Sequence, residues 1–246
     1  MRLEGKTAIV TGGGSGFGAG IVRKFATEGA RVMVADINGD AAEAVAAEVG
    51  GIAQVCDVSS SQSVADMAEA AQQAWGHVDI LVNNAGVTHL PTPLTEVSED
   101  DFDRIFAVNM KSVYLTARAF VPGMWARGAG AILNVASTAG LSPRPNLNWY
   151  NASKGWMITA TKTMAVELAP NGVRVNAICP VAGETPLLKS FMGEDTPEVR
   201  AKFLSTIPIG RFSTPEDMGN AACYLCSDEA SMITGVALEV DGGRCI

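Results

Sequence analysis

Short runs of β-branched and aliphatic residues alternate with longer Ala-rich stretches of helical period along nearly the whole chain. That rhythm admits few architectures. Strands are expected at residues 7–10, 31–35, 52–55, 79–82, 131–135, 173–178 and 236–240, and helices at 16–28, 39–48, 61–75, 98–125, 149–168 and 215–226. Runs such as Ala8-Ile9-Val10 are apolar on both faces, so the sheet they form must be covered on both sides. Right-handed crossovers then give a parallel, doubly wound order. The expected fold class is α/β, with a mainly parallel seven-stranded sheet in one domain over residues 1–246. A chain of 246 residues, 48% of them hydrophobic, can bury such a core as one unit. Residues 181–208 fit the rhythm worst, with Pro186, Pro197 and Pro208 among mixed charges. An insertion at the carboxyl end of a sheet strand is where a substrate lid is expected.

The first strand runs into Thr11-Gly12-Gly13-Gly14-Ser15-Gly16-Phe17-Gly18 and then a helix. Glycines let the backbone turn tightly and approach a pyrophosphate, while the helix N-terminus offers free N–H groups and a positive dipole end. Asp36 follows about twenty residues on, at the end of the second strand, as a dinucleotide fingerprint requires. The sheet is therefore expected to be of Rossmann type. A carboxylate at Asp36 accepts hydrogen bonds from the ribose hydroxyls of NAD and repels the 2′-phosphate of NADP. Neither Ser15 nor Ile37 supplies a positive charge to hold that phosphate. The expected cofactor is NAD.

Charge and composition exclude several other classes. The formal net charge is −8 with a pI near 4.8, which argues against a nucleic-acid partner. No run of eighteen apolar residues is present, so no membrane span is expected. Residues 1–10 lack the basic, apolar and small-residue order of a signal peptide. Five cysteines at irregular positions suggest free thiols in a reducing cytoplasm. Cys223 and Cys226 form a CxxC within an Ala-rich helical stretch, but no second ligand pair exists, and buried thiols packing as small apolar groups are the expectation. With only His77 and His89, no metal site is expected.

Tyr150 and Lys154 are four apart on an expected helix and share one face. A nearby ammonium favours a phenolate, and such a tyrosine could take a proton from an alcohol or return one to a carbonyl. Taken alone, such a pair on a helix is commonplace and surface packing is the better reading of it. Its context resembles the short-chain dehydrogenase/reductase family along essentially the whole chain. Thr11 to Gly18 is similar to that family's TGxxxGxG loop, Asn83-Asn84-Ala85-Gly86 to its NNAG motif, and Tyr150-Asn151-Ala152-Ser153-Lys154 to its YxxSK motif. Asn109 falls where the family has its active-site Asn, Ser137 lies thirteen residues before Tyr150, and Asp57-Val58 resembles the pair that contacts adenine.

The resemblance implies Tyr150 as acid/base, Ser137 as hydrogen-bond partner of the reacting oxygen, and Lys154 as tuner of Tyr150 and holder of the nicotinamide ribose. It implies Asn109 as holder of a proton-relaying water. The cofactor residues it implies are Gly12, Ser15, Gly16, Phe17, Gly18, Asp36, Ile37, Asp57, Val58, Asn84, Gly86, Tyr150, Lys154, Gly183 and Thr185. The chain departs from the family's PGxxxT pattern at Pro180-Val181-Ala182-Gly183-Glu184-Thr185, with Val181 for the first Gly and Gly183 where a β-branched residue is usual. The implied activity is NAD(H)-dependent interconversion of a secondary alcohol, polyol or sugar with its carbonyl. The alternatives are a 3-oxoacyl-thioester reductase working on an acyl carrier protein, and a non-catalytic dinucleotide sensor. His89, Arg144 and Trp149 are substrate candidates; a solvated histidine, a surface charge between two prolines and helix packing are their respective alternatives. Apolar groups on the long helices, among them Phe102, Phe106, Tyr114 and Trp156, suggest a homo-oligomer, and family members usually form tetramers.

Overall fold

A computed structural model describes residues Met1–Ile246. Seven parallel strands form one sheet in the order β3-β2-β1-β4-β5-β6-β7. They are β1 Thr7–Thr11, β2 Arg31–Asp36, β3 Ile52–Val55, β4 Ile80–Asn83, β5 Gly130–Val135, β6 Val173–Pro180 and β7 Ala237–Val240. Helices α1 Gly16–Thr27, α2 Gly39–Val49, α3 Ser61–Trp75, α4 Glu99–Ile105, α5 Ser112–Arg127, α6 Asn148–Leu168, α7 Leu188–Met192, α8 Pro197–Leu204 and α9 Pro215–Cys226 cover it. Every residue of β1 and β4 is buried, which explains why Ala8–Val10 and Ile80–Val82 are continuous apolar runs rather than alternating. One core joins β1, β2 and β5 to α1 and α9 through Val10, Val34, Phe25 and Met218. The other joins the opposite face to α3 and α5 through Ile9, Met33, Met67 and Met124. Cys223 and Cys226 lie in the first core, as small apolar groups.

Local chemistry sets the helix ends. Asn38, Ser60 and Ser98 each accept a backbone N–H in the first turn of α2, α3 and α4. Thr214 and Asp217 close a capping box at α9. The expected continuous helix over 98–125 is interrupted, because Phe106–Lys111 between α4 and α5 is π-helix. The extra residue of such a turn re-aims a side chain inward. Here it is Asn109, fully buried, whose Nδ2 donates to Val87 O at 2.9 Å and Ser153 Oγ at 3.0 Å and whose Oδ1 accepts Val87 N–H at 2.9 Å.

The strand order reverses direction between β1 and β4, so a crevice opens at their carboxyl ends. Residues 181–208 carry the two short helices α7 and α8 at the carboxyl end of β6. Val181, Leu188, Met192, Ile207 and Phe212 form a small apolar cluster of their own beneath this segment. Valine at position 181 is thereby explained as the anchor of that cluster, a role glycine could not fill. No helix is long and apolar enough to cross a membrane.

Candidate active site

The crevice is one continuous cavity of about 480 Å³, within the range of small-molecule sites. Its two ends are chemically different. At one end the Gly-rich turn between β1 and α1 turns through Gly12 (φ 62°) and Gly16 (φ 52°), a backbone region costly for residues with a side chain. Asn84, the residue after β4, donates through Nδ2 to Thr11 O at 2.9 Å and Gly12 O at 3.0 Å, fixing the turn against the neighbouring strand. Gly18 packs so closely under the turn that a Cβ would lie 2.0 Å from Gly12 O. Asp36 Oδ2 accepts Gly14 N–H at 2.9 Å and its Oδ1 accepts Asn38 N–H at 3.0 Å, so the carboxylate is held at the cavity wall.

Gly12, Ser15, Gly16, Phe17, Asp36, Ile37, Asp57, Val58, Asn84, Gly86, Gly183 and Thr185 all line this one cavity, together with Ser137, Tyr150 and Lys154. Gly18 and Asn109 support it from behind. Among the lining residues the only basic ones are Arg144 and Lys154, so no cation stands beside Asp36 to hold a 2′-phosphate. A negative carboxylate, a glycine cradle and a helix N-terminus with free N–H groups fit an NAD-type dinucleotide.

Gly183 and Phe17 account for the departure after β6. A Cβ at Gly183 would lie 2.3 Å from Phe17 Cζ and 2.7 Å from Ser213 Oγ. The aromatic ring from the Gly-rich turn occupies the space that a β-branched residue would need.

At the other end, α6 presents Tyr150 and Lys154, and Ser137 lies two residues beyond β5. Tyr150 and Lys154 are both nearly fully buried. Lys154 Nζ donates to Val135 O at 2.8 Å and stands 5.9 Å from the centroid of the Tyr150 ring. A Cβ on Gly86 would sit 3.4 Å from Lys154 Nζ and 3.5 Å from Asn109 Oδ1, so both atoms flank the same small space. Burial pushes the Tyr150 phenol up to about 12, against a lowering hydrogen bond from Ser137. Burial brings the Lys154 ammonium down to about 8. Desolvation opposes the charged form of each group.

The substrate candidates separate. Arg144 lines the cavity. His89 does not: it is buried, its Nδ1 lies 2.7 Å from Leu90 O, and it is neither a solvated loop residue nor a pocket wall. Trp149 packs edge-on against Phe102 of α4, ring centroids 5.4 Å apart, and faces helix rather than cavity. Leu187, Phe191 and Phe203, from the segment after β6, do line it. So do Ser142, Leu147 and Asn151, which sequence reasoning did not single out. Leu147 and Asn151 flank Tyr150 at the start of α6, so proximity to the YxxSK motif was the available signal.

A family model described as Enoyl-(Acyl carrier protein) reductase matches residues 12–244. The chain is 49% identical to 4-formylbenzenesulfonate dehydrogenase TsaC1/TsaC2 of Comamonas testosteroni, over 100% of both chains. It superimposes with a TM-score of 0.94 and 50% identity on a structure described as 3-ketoacyl-(acyl-carrier-protein) reductase from Brucella melitensis complexed with NADH, covering 99% of this chain and 100% of that one. It superimposes with a TM-score of 0.93 and 40% identity on a 7α-hydroxysteroid dehydrogenase complexed with NADH and 7-oxo glycochenodeoxycholic acid, covering 98% and 95%.

Proposed function

The chain belongs to the short-chain dehydrogenase/reductase family of oxidoreductases, and from that premise we propose that it uses NAD(H) to interconvert a small secondary alcohol, polyol or sugar and its carbonyl, with Tyr150 as acid/base. The observation that carries this reading is the meeting of Asp36 and the Gly-rich turn with Ser137, Tyr150 and Lys154 along one cavity. When bound, the nicotinamide accepts or delivers the hydride; the chain supplies position and protons. Gly12, Ser15, Gly16 and the N-terminus of α1 hold the pyrophosphate, Asp36 and Ile37 the adenosine ribose, and Asp57 and Val58 the adenine. Thr185 and the Gly183 backbone hold the carboxamide.

Ser137 Oγ hydrogen-bonds the reacting oxygen of the substrate. Tyr150 Oη takes the proton of an alcohol or returns one to a carbonyl. Lys154 holds the nicotinamide ribose and, as an ammonium one helical turn away, favours the phenolate form of Tyr150. Asn109 positions the relay: its amide clamps Val87 and Ser153, and its Oδ1 and Lys154 Nζ flank the space beside Gly86 where a relaying water fits.

Residues 181–208 act as the lid of one domain spanning 1–246. The half-exposed Phe102, Phe106, Tyr114 and Trp156 on α4 to α6 form the contact face of a homotetramer. With all five cysteines free, the protein suits the reducing cytoplasm.

A second reading, 3-oxoacyl-thioester reduction, is favoured by one observation, the 50% identity to a structure described as a 3-ketoacyl reductase and bound to NADH. Cofactor choice therefore does not separate the two readings. Initial rates with a panel of secondary alcohols and polyols with NAD, and with acetoacetyl-CoA and NADH, do. The dehydrogenase reading expects turnover in the alcohol panel and little with the thioester; thioester turnover alone would replace it.

A further inference from the structure

Two arginines come together at the substrate end, and neither has an acidic side chain in ion-pair contact. Arg144 lines the cavity, its guanidinium 4.5 Å from the centroid of the Phe203 ring and its Nη2 donating to Thr206 Oγ1 at 3.3 Å. Arg244, from the C-terminal turn after β7, donates from Nη1 to Ser142 Oγ at 3.3 Å, and Ser142 also lines the cavity. Its buried Nε has no hydrogen-bond partner. Neither guanidinium makes an ion pair; every salt bridge of the chain involves other side chains. The only acids lining the cavity are Asp36 and Asp57, at the cofactor end. In a chain of net charge −8, two cations are left here without a direct ion pair.

Holding them there carries a cost. Burial and the neighbouring Arg244 both depress the ionisation of Arg144. An anion lodged between them relieves both effects, and a planar guanidinium recognises a carboxylate or sulfonate in a bidentate way. The wall between this charge and the reacting hydroxyl is aromatic. Phe203 stacks under Arg144, and Phe191 packs edge-on against Tyr150 with ring centroids 5.1 Å apart. Pro143 and Pro145 stiffen the loop on either side of Arg144, and Asn151 Nδ2 ties its carbonyl to α6 at 2.7 Å.

We infer that Arg144, backed by Arg244 through Ser142, is an anion subsite, and that the substrate is an alcohol or carbonyl compound with an apolar body ending in a carboxylate or sulfonate. This rests on the dehydrogenase reading for the chemistry at Tyr150, but the anion subsite is testable without turnover. The probes are 4-methylbenzoate, toluene-4-sulfonate and the neutral 4-methylbenzamide, which share one body and cannot be reduced. Each is titrated by calorimetry into the NADH complex of the wild type, of Arg144→Gln and of Arg244→Gln. NADH binding itself, followed by fluorescence, is recorded first.

The wild type should bind at least one anion about ten-fold or more tightly than the amide, the effect expected of a charged hydrogen bond. Arg144→Gln should abolish that preference and leave amide affinity unchanged; Arg244→Gln should reduce the preference several-fold. The tighter anion identifies the headgroup. Anions that bind no better than the amide, or an undiminished preference in Arg144→Gln, overturn the inference while leaving the dehydrogenase reading intact. Arg144→Gln weakening all three probes equally also overturns it, because a purely structural arginine acts that way. If NADH does not bind, the cofactor reading fails, and the same titrations on the free protein decide the anion subsite alone.

Discussion

Lys154 donates its ammonium to the carbonyl of Val135 at 2.8 Å, at the last residue of β5 and one helical turn from Tyr150. That bond holds a cation at a nearly fully buried position on the cavity wall. Burial opposes the charge and pushes the Lys154 ammonium from the ordinary 10.5 down to about 8.

The displacement has a stability consequence with a definite sign. The folded state binds fewer protons than the unfolded chain between about 8 and 10.5. The contribution of this site therefore rises with pH through that window and is lost as pH falls through about 8. The full displacement corresponds to on the order of 3 kcal/mol. Lys154→Met removes the dependence. Melting curves of both proteins between about pH 7 and about pH 9.5 should show the Tm difference moving by roughly 4–8 °C in favour of the wild type. A difference that stays constant contradicts the buried-ammonium account. In the same variant, the pH midpoint for alcohol oxidation should rise, because the ammonium that favours the Tyr150 phenolate is gone.

Cofactor choice follows from Asp36. Its two oxygens accept N–H groups from Gly14 and Asn38, so the carboxylate cannot swing away from the cavity. The ratio of kcat/KM for NAD over NADP should be large in the wild type. It should fall by about ten-fold or more in Asp36→Ala, since both an attraction and a repulsion are lost. An unchanged ratio would remove the electrostatic argument.

Much of this was legible in the sequence because it depends on local pattern. β1, β4 and the Gly-rich turn are contiguous, and their burial on both faces writes itself as apolar runs without alternation. Asp36 and the Tyr150–Lys154 spacing are likewise short-range signals. What was not legible depends on contacts distant in sequence. The π-helix at Phe106–Lys111 exists where Asn109 reaches Val87 and Ser153, and no residue within 98–125 announces it. His89 sits in the right loop and Trp149 at the start of α6, but both turn into protein, His89 toward Leu90 O and Trp149 toward Phe102. Arg244 meets Ser142 only because the chain after β7 folds back across the site.

The pairing of Gly183 with Phe17 gives a packing test. Gly183→Ala introduces a Cβ 2.3 Å from Phe17 Cζ, against backbone fixed by the Ser213 bridge. Overpacking of this kind costs about 1–3 kcal/mol. Its effect should appear as a lower Tm and weaker NADH binding. Adding Phe17→Ala should restore part of the stability. A single variant that binds NADH normally, or a double variant no better than the single, would show that the two residues are not coupled.

Assembly is tested by mass. Phe106 and Tyr114 are 46% and 52% exposed on adjoining helices, apolar surface that a partner copy would cover. Light scattering at micromolar protein should report four chains. Phe106→Glu with Tyr114→Glu should lower the mass. A monomeric wild type contradicts the proposed contact face.

The central claim is that the Tyr150 hydroxyl carries the proton, and one substitution isolates it. Tyr150→Phe keeps the ring, and with it the edge-on contact to Phe191, so folding and NADH binding should persist. The measurement is kcat with a confirmed alcohol and NAD, alongside NADH affinity and Tm. The account predicts a fall in kcat of about 10²–10⁴-fold with affinity and Tm near those of the wild type. Turnover close to that of the wild type, with cofactor bound, would contradict it.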